Sequence, residues 1–293
     1  MKILFLTGLF SLFFAGCTSP QPAKNLQGYN LDKPDEIFIL PDSLREISGI
    51  APLTNTEFAC IQDENGIVFI YDTGKKRITR QLRFGIDGDF EGIARVQKSI
   101  YILRSDGTLY EIEDYRSSPV VNTLVTGIIA GDNEGLCFDS ISNRLLIGSK
   151  SKLGNGAGLK NFRGIYSYDL ASRQLSIEPV YSFNVKTLQQ FAVKNRLQLP
   201  SKISKKGKPQ VIIKFRPSDI DFHPLTNDLY VLSSIDHMLF IFNKDGSIKH
   251  IQILDPSLFN KAEGLSFLEN GDMVVTNEGE TGNATLLLFR YNK

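Results

Sequence analysis

Three glutamates that each precede a glycine, Glu91, Glu134 and Glu263, stand at one position of a recurring segment. Its copies read ISGIAPL (47–53), FEGIARV (90–96), NEGLCFD (133–139), PSDIDFHP (217–224) and AEGLSFL (262–268). Ser48 and Ser218 take the place of the acid in the other two copies, and Asp219 takes the place of the glycine. If the copies meet around one axis, three carboxylates share a narrow opening. They must then be protonated, hydrated or neutralised by a cation. Oxygen-only donors suit Ca²⁺ or Mg²⁺ rather than Zn²⁺, which makes Glu91, Glu134 and Glu263 the candidate metal ligands. A channel mouth with solvated acids is the alternative outcome of the same pattern. A metal-bound water at this place could attack a phosphoester or lactone. No residue stands out as its general base, however, and Gly-x-Ser-x-Gly, HExxH and Cys–His arrangements are absent.

Other polar residues fall where the same repeat would bring them to that face. Glu46, Asp89, Asp132, Arg216 and Lys261 lie two positions before the acid, and Asp63, Glu64, Arg104, Lys150, Asp236, Asn277 and Glu278 follow the next apolar run. With Ser48 and Asp219, the candidate ligand-binding set is Glu46, Asp63, Arg104, Lys150, Arg216, Asn277 and Glu278.

The elements that must hold these residues are short strands. Apolar runs of four to seven residues alternate with turn clusters such as DENG, SDG, LTND and KDG, a pattern of many antiparallel strands. After each repeated segment comes a second strand (FACIQ, SIYILR, RLLIGSK, DLYVLSS, DMVVTN) and a third (IVFIYD, TLYEIE, GIYSYDL, MLFIFNK, TLLLFRY). A fourth is visible in four copies. Ser48, Glu91, Glu134, Ser218 and Glu263 are separated by steps of 43, 43, 84 and 45. A four-stranded unit at this period is a propeller blade, so the fold class is all-β, a β-propeller of five blades. The last copy lacks a fourth strand, and IFIL (37–40) has no blade of its own, so this N-terminal strand is expected to close the ring.

The step of 84 leaves room for a sixth blade. Residues 186–214 offer only QVIIKF as a strand candidate, and Leu188, Phe191, Ala192 and Leu199 repeat at helical spacing. Five blades with an insertion is the better reading. The insertion carries eight basic residues and no acid, and Lys150, Lys152, Lys160 and Arg163 surround the nearby GNGAG (154–158). Such a wall could orient an anionic or phosphorylated ligand, or meet anionic lipid headgroups.

Composition is that of a globular domain, 293 residues with 42% hydrophobic and 22% charged, which excludes disorder and coiled coil. A net charge of +1 gives no global attraction to nucleic acid. Met1-Lys2 and the apolar run 3–14 form a secretory signal, too short to span a bilayer, and Ala15-Gly16-Cys17 ends it as a lipobox. Cys17 is expected to become the lipidated N-terminus after loss of residues 1–16, with 17–35 as a tether and 36–293 as the propeller. Removing 1–16 takes away Lys2 and no acid, so the two signs become equal. The expected location is the bacterial cell envelope, with Thr18 after the cysteine favouring the outer membrane facing the periplasm. Cys60 and Cys137 fall in non-adjacent blades and should stay unpaired.

The Glu-Gly-Ile/Leu segments, the Arg216-Pro217-Ser218-Asp219-Ile220-Asp221-Phe222 stretch and the lipobox together resemble the SdiA-regulated (YjiK-like) bacterial β-propeller family, over roughly residues 36–291. The resemblance implies a propeller similar to others that bind Ca²⁺ near the axis, and it implies no activity. The functional expectation is therefore a membrane-anchored periplasmic binding or scaffold module with an unknown small-molecule or protein ligand. A metal-dependent hydrolase is the alternative.

Overall fold

The computed structural model describes residues 26–153, 158–203, 207 and 209–292. The signal segment, Cys17 and most of GNGAG lie outside the described residues. Five antiparallel sheets stand around one axis, in chain order. The first blade is Ile47–Pro52, Glu57–Gln62, Ile67–Asp72 and Arg77–Arg83, and the second is Phe90–Val96, Ser99–Arg104, Thr108–Glu113 and Val120–Val125. The third is Asn133–Asp139, Arg144–Ser149 and Phe162–Asp169, with its outer edge split between Gln174–Leu175 and Tyr181–Asn184. The fourth is Asp219–Phe222, Leu229–Ser233, Met238–Phe242 and Ile248–Ile253. The fifth is Ala262–Phe267, Met273–Asn277 and Thr285–Phe289, completed by Glu36–Ile39.

The first strand of each blade is innermost and touches the first strand of the next, and the fifth touches the first. Second and third strands are buried on both faces, which is why they read as unbroken apolar runs, whereas outer strands such as Arg77–Arg83 are mostly exposed. Between each pair of adjacent blades lies one apolar cluster, five in all, so the core is a ring of interfaces.

Closure follows the expectation. Glu36 pairs with Leu288 and Ile39 with Thr285, Phe38 turns inward, and Ile37 and Ile39 face out. The tether reading is corrected over its described part. Leu26, Tyr29 and Leu31 are buried between the fourth and fifth blades, and the Tyr29 hydroxyl donates to Gly271 O. Three apolar side chains in ten residues gain too much from burial to stay in water.

The insertion contains helix α1 (Val185–Lys194), with the Asn184 side chain accepting from Lys186 N at its start. Leu188 and Ala192 are buried in the cluster between blades three and four, with Phe191 and Leu199 packed against it. The expected strand QVIIKF pairs only as Pro209–Val211 with Ser201–Ile203. Beyond it the chain turns into the fourth blade, where the Asp236 carboxylate accepts from Lys214 N and Phe215 N. Cys60 and Cys137 are free and buried.

Candidate functional site

The repeated acid position is a β-bulge. Pairing runs from Phe90–Arg104 to Gly92–Leu103, from Asn133–Ser149 to Gly135–Gly148, and from Ala262–Asn277 to Gly264–Thr276. Glu91, Glu134 and Glu263 are the extra residues, and Ser48 is the corresponding residue of the first blade. A bulge takes its residue out of the ladder and re-aims the side chain. The following glycines let inner strands crowd: a Cβ on Gly92 would lie 2.6 Å from Glu134 O.

The Lys150 ammonium forms an ion pair with Glu134, and Glu263 and Glu91 lie near enough for their charge to act on it. Lys150 arrives on the loop after the second strand of blade three, where its N–H donates to Asp132 O at 2.8 Å. The same tie recurs as Asp63 N to Glu46 O, Ser105 N to Asp89 O and Glu278 N to Lys261 O. Positions two before the acid therefore contribute backbone carbonyls that pin these loops. Burial, then Glu134 and Asp89, push the Glu91 carboxyl up to about 9. Burial takes Glu134 to about 8 against the pull of Lys150, and also raises Glu263. Burial works against the charged lysine, but Glu134 and Glu263 carry it above its ordinary range. At neutral pH the ring thus holds one ammonium and fewer than three negative charges.

This donor set does not fit the expected Ca²⁺ or Mg²⁺. The Lys150 ammonium already pairs with Glu134, and among the described residues no three His, Cys, Asp or Glu side chains are grouped to share an ion.

The remaining expected residues are engaged individually. Ser48 Oγ donates to Phe90 O at 2.7 Å. Asp219, buried where other blades carry glycine, accepts from Ile220 N at 2.8 Å and from Leu265 N of the next blade at 2.7 Å. Arg104 is held by Asp106 at 2.7 and 3.0 Å and by the Tyr110 hydroxyl. Asn277 donates to Leu258 O and Thr285 Oγ1, and Glu278 pairs with Lys261 at 2.6 Å. Burial, then the charges of Glu46 and Glu278, raise the Asp63 carboxyl to about 6. Glu46 and Arg216 are exposed.

The opposite end of the axis was missed by sequence reasoning. Beyond the glycines a cavity of about 440 Å³ opens, lined by every blade through Pro52, Arg95, Phe138, Phe222 and Phe267. Asp221 also lines it, but its carboxylate accepts from Phe222 N, Ser266 Oγ and Phe267 N. The available signal lay three residues after each inner-strand glycine, or after Asp219 in the fourth blade, where Pro52, Arg95, Phe138, Phe222 and Phe267 stand at or next to the strand ends. His223, in the turn beside this end, is buried, and its Nδ1 accepts from Leu225 N and Thr226 N.

No protein-family model and no curated protein sequence matches the chain. Solved structures share its architecture. The glutaminyl cyclase of Myxococcus xanthus superposes with a TM-score of 0.56 at 11% identity, over 89% of this chain and 96% of that one. A chain of the mitotic checkpoint complex gives 0.51 at 10% identity, over 99% and 100%. A structural-genomics protein of unknown function from Bacteroides thetaiotaomicron gives 0.50 at 11% identity, over 83% of this chain and 55% of that one. At such identities the likeness is one of fold alone: the chain is a five-bladed β-propeller.

Proposed function

We propose that this protein is a lipid-anchored binding module of the bacterial cell envelope that holds a small amphipathic ligand, with an apolar body and polar groups, in the axial cavity. One observation carries the reading: a cavity of about 440 Å³ is assembled from all five blades, where Phe138, Phe222 and Phe267 stand beside polar groups such as Arg95, Gln97, Lys244 and Glu269. The crowded glycine level and the Glu–Lys150 ring close in on the axis from the other end. In this reading the ring is structural, and it supplies from Lys150 the positive charge that a divalent cation would otherwise bring.

The anchor gives the cavity a direction. Tyr29 docks beside His223, Gly271 and Tyr291, on the face where the inner strands end and the cavity opens. From Cys17 to Leu26 the chain can reach about 30 Å at most. A lipid on Cys17 therefore holds the cavity face towards the bilayer, where amphipathic ligands concentrate.

The test uses the neutral apolar fluorophore N-phenyl-1-naphthylamine. Wild type should bind one saturable equivalent. Ala94→Trp, which fills the cavity wall, should lose at least tenfold in affinity while keeping a cooperative melting transition. Saturable binding unchanged by Ala94→Trp, or none in wild type, would refute the axial site.

A further inference from the structure

We propose a second site, for a phosphate-bearing small molecule in solution, in the basic cavity between helix α1 and the start of the fourth blade. The cavity measures about 550 Å³ and is lined by Lys160, Arg163, Lys186, Lys202, Lys214 and Arg216, with no acid among the described residues of its wall. Five of these are exposed cations. Arg163 differs, being 94% buried (6% exposed) at the foot of the cavity.

The Arg163 guanidinium has no carboxylate of its own. Its Nη1 donates to Phe162 O at 3.0 Å and its Nη2 to Lys214 O at 3.3 Å, and Nε, fully buried, has no acceptor. The nearby acid, Asp236, is occupied by Lys214 N at 2.9 Å, Phe215 N at 2.7 Å and Ser233 Oγ at 2.8 Å. A buried cation without a paired anion is costly, and burial, then Arg216, pull the Arg163 pKa below its usual value. An anion in the cavity relieves both costs at once. Phosphate suits the wall because guanidinium groups recognise its oxygens through paired N–H donors and lysines add point charge.

The cavity lies on the face where inner strands begin, opposite the face that carries Leu26 and Tyr29. On the anchoring through Cys17 proposed above, on which this choice of source rests, the membrane-held molecule turns the cavity away from lipid headgroups, so the phosphate belongs to a solute. This site is independent of the axial cavity, since none of its lining residues is shared.

The experiment measures melting of the full-length protein with inorganic pyrophosphate, against sodium chloride at matched ionic strength, and sedimentation of its Cys17→Ser variant, which carries no acyl anchor, with phosphatidylglycerol or phosphatidylcholine vesicles. Pyrophosphate should raise the wild-type melting temperature saturably where chloride does not. Arg163→Gln should weaken the half-saturating concentration at least tenfold. Because Arg163 is buried and its loss could unfold the chain, Lys186→Ala/Lys214→Ala, two exposed positions, provides the second variant and should weaken it similarly. An equal response to chloride, or a pyrophosphate response unchanged in the double variant, overturns the site. No pyrophosphate response, together with vesicle retention that needs phosphatidylglycerol and both lysines, would overturn the solute and assign the phosphate to a headgroup.

Discussion

At the scale of single residues, the charge of the axial ring is set by burial. The Glu91 carboxyl is held at about 9 in the folded chain, chiefly by desolvation, against about 4.3 when unfolded. Below pH 4 both states are protonated and Glu91 contributes nothing. Between those values the folded state keeps a proton that the unfolded state has lost, so stability falls as pH rises, and the fall ends above about 9. Glu91→Gln removes this titration. It should be close to neutral at pH 4 and more stable than wild type by about 1–3 kcal/mol at pH 8, read from denaturant melts across that range. A wild type and variant with parallel pH profiles would show that the carboxyl is solvated. Lys150 makes the converse case. Lys150→Met leaves buried carboxylates without their cation and should cost about 3 kcal/mol, of which Glu134→Gln in the same chain should restore most. Millimolar Ca²⁺ should leave wild type unchanged, because Lys150 already supplies the positive charge beside Glu134. Stabilisation of wild type by Ca²⁺ would instead make the ring a metal site.

At the scale of elements, the repeat was legible because its spacing recurs through five segments, and each apolar run had one place in a blade. The closing strand was legible by subtraction, since IFIL had no blade and the last blade lacked a strand. Helix α1 showed in the spacing of Leu188, Phe191 and Ala192. The bulge was hidden, because a residue that leaves the ladder looks in sequence like any other strand residue. Lys150 was named among ligand-binding residues, but its place at the centre of the acids depends on how the loop after Ser149 is pinned to Asp132. The far cavity was hidden for a different reason: Phe138, Phe222 and Phe267 have the composition of core residues, and only the divergence of inner strands leaves space between them. Crowding at the glycine level makes its own prediction. In Gly92→Ala the new Cβ would meet the backbone oxygen of Glu134 at 2.6 Å, and neither strand can yield without shifting its blade. The substitution should cost about 2 kcal/mol and lower the melting temperature. Gly131→Ala, where the added carbon meets nothing within 4 Å, should leave the melting temperature nearly unchanged.

At the scale of the whole molecule, the two ends of the axis differ in chemistry and in what they face. One end carries the Glu–Lys150 ring with the basic cavity beside it, and the other carries the aromatic cavity with the docked segment Leu26–Leu31. The short chain between Cys17 and Leu26 makes this asymmetry an orientation, provided Cys17 bears the lipid. Cys17→Ser should therefore move the protein from the membrane to the soluble fraction. The orientation itself can be read with single fluorescent labels. Cys60 and Cys137 are buried and acylated Cys17 has no free thiol, so an introduced exposed cysteine is the one that reacts. Ile141→Cys lies on the rim of the aromatic cavity and Ile235→Cys on the rim of the basic one, and both side chains are exposed. In proteoliposomes containing a lipid-borne quencher, the label at 141 should be quenched strongly and the label at 235 weakly. Adding 20 Gly/Ser residues between positions 18 and 25 loosens the leash to an effective end-to-end distance of several tens of ångströms, and should bring the two signals together. Equal quenching in the native chain, or stronger quenching at 235, would turn the molecule over and place the basic cavity against the bilayer.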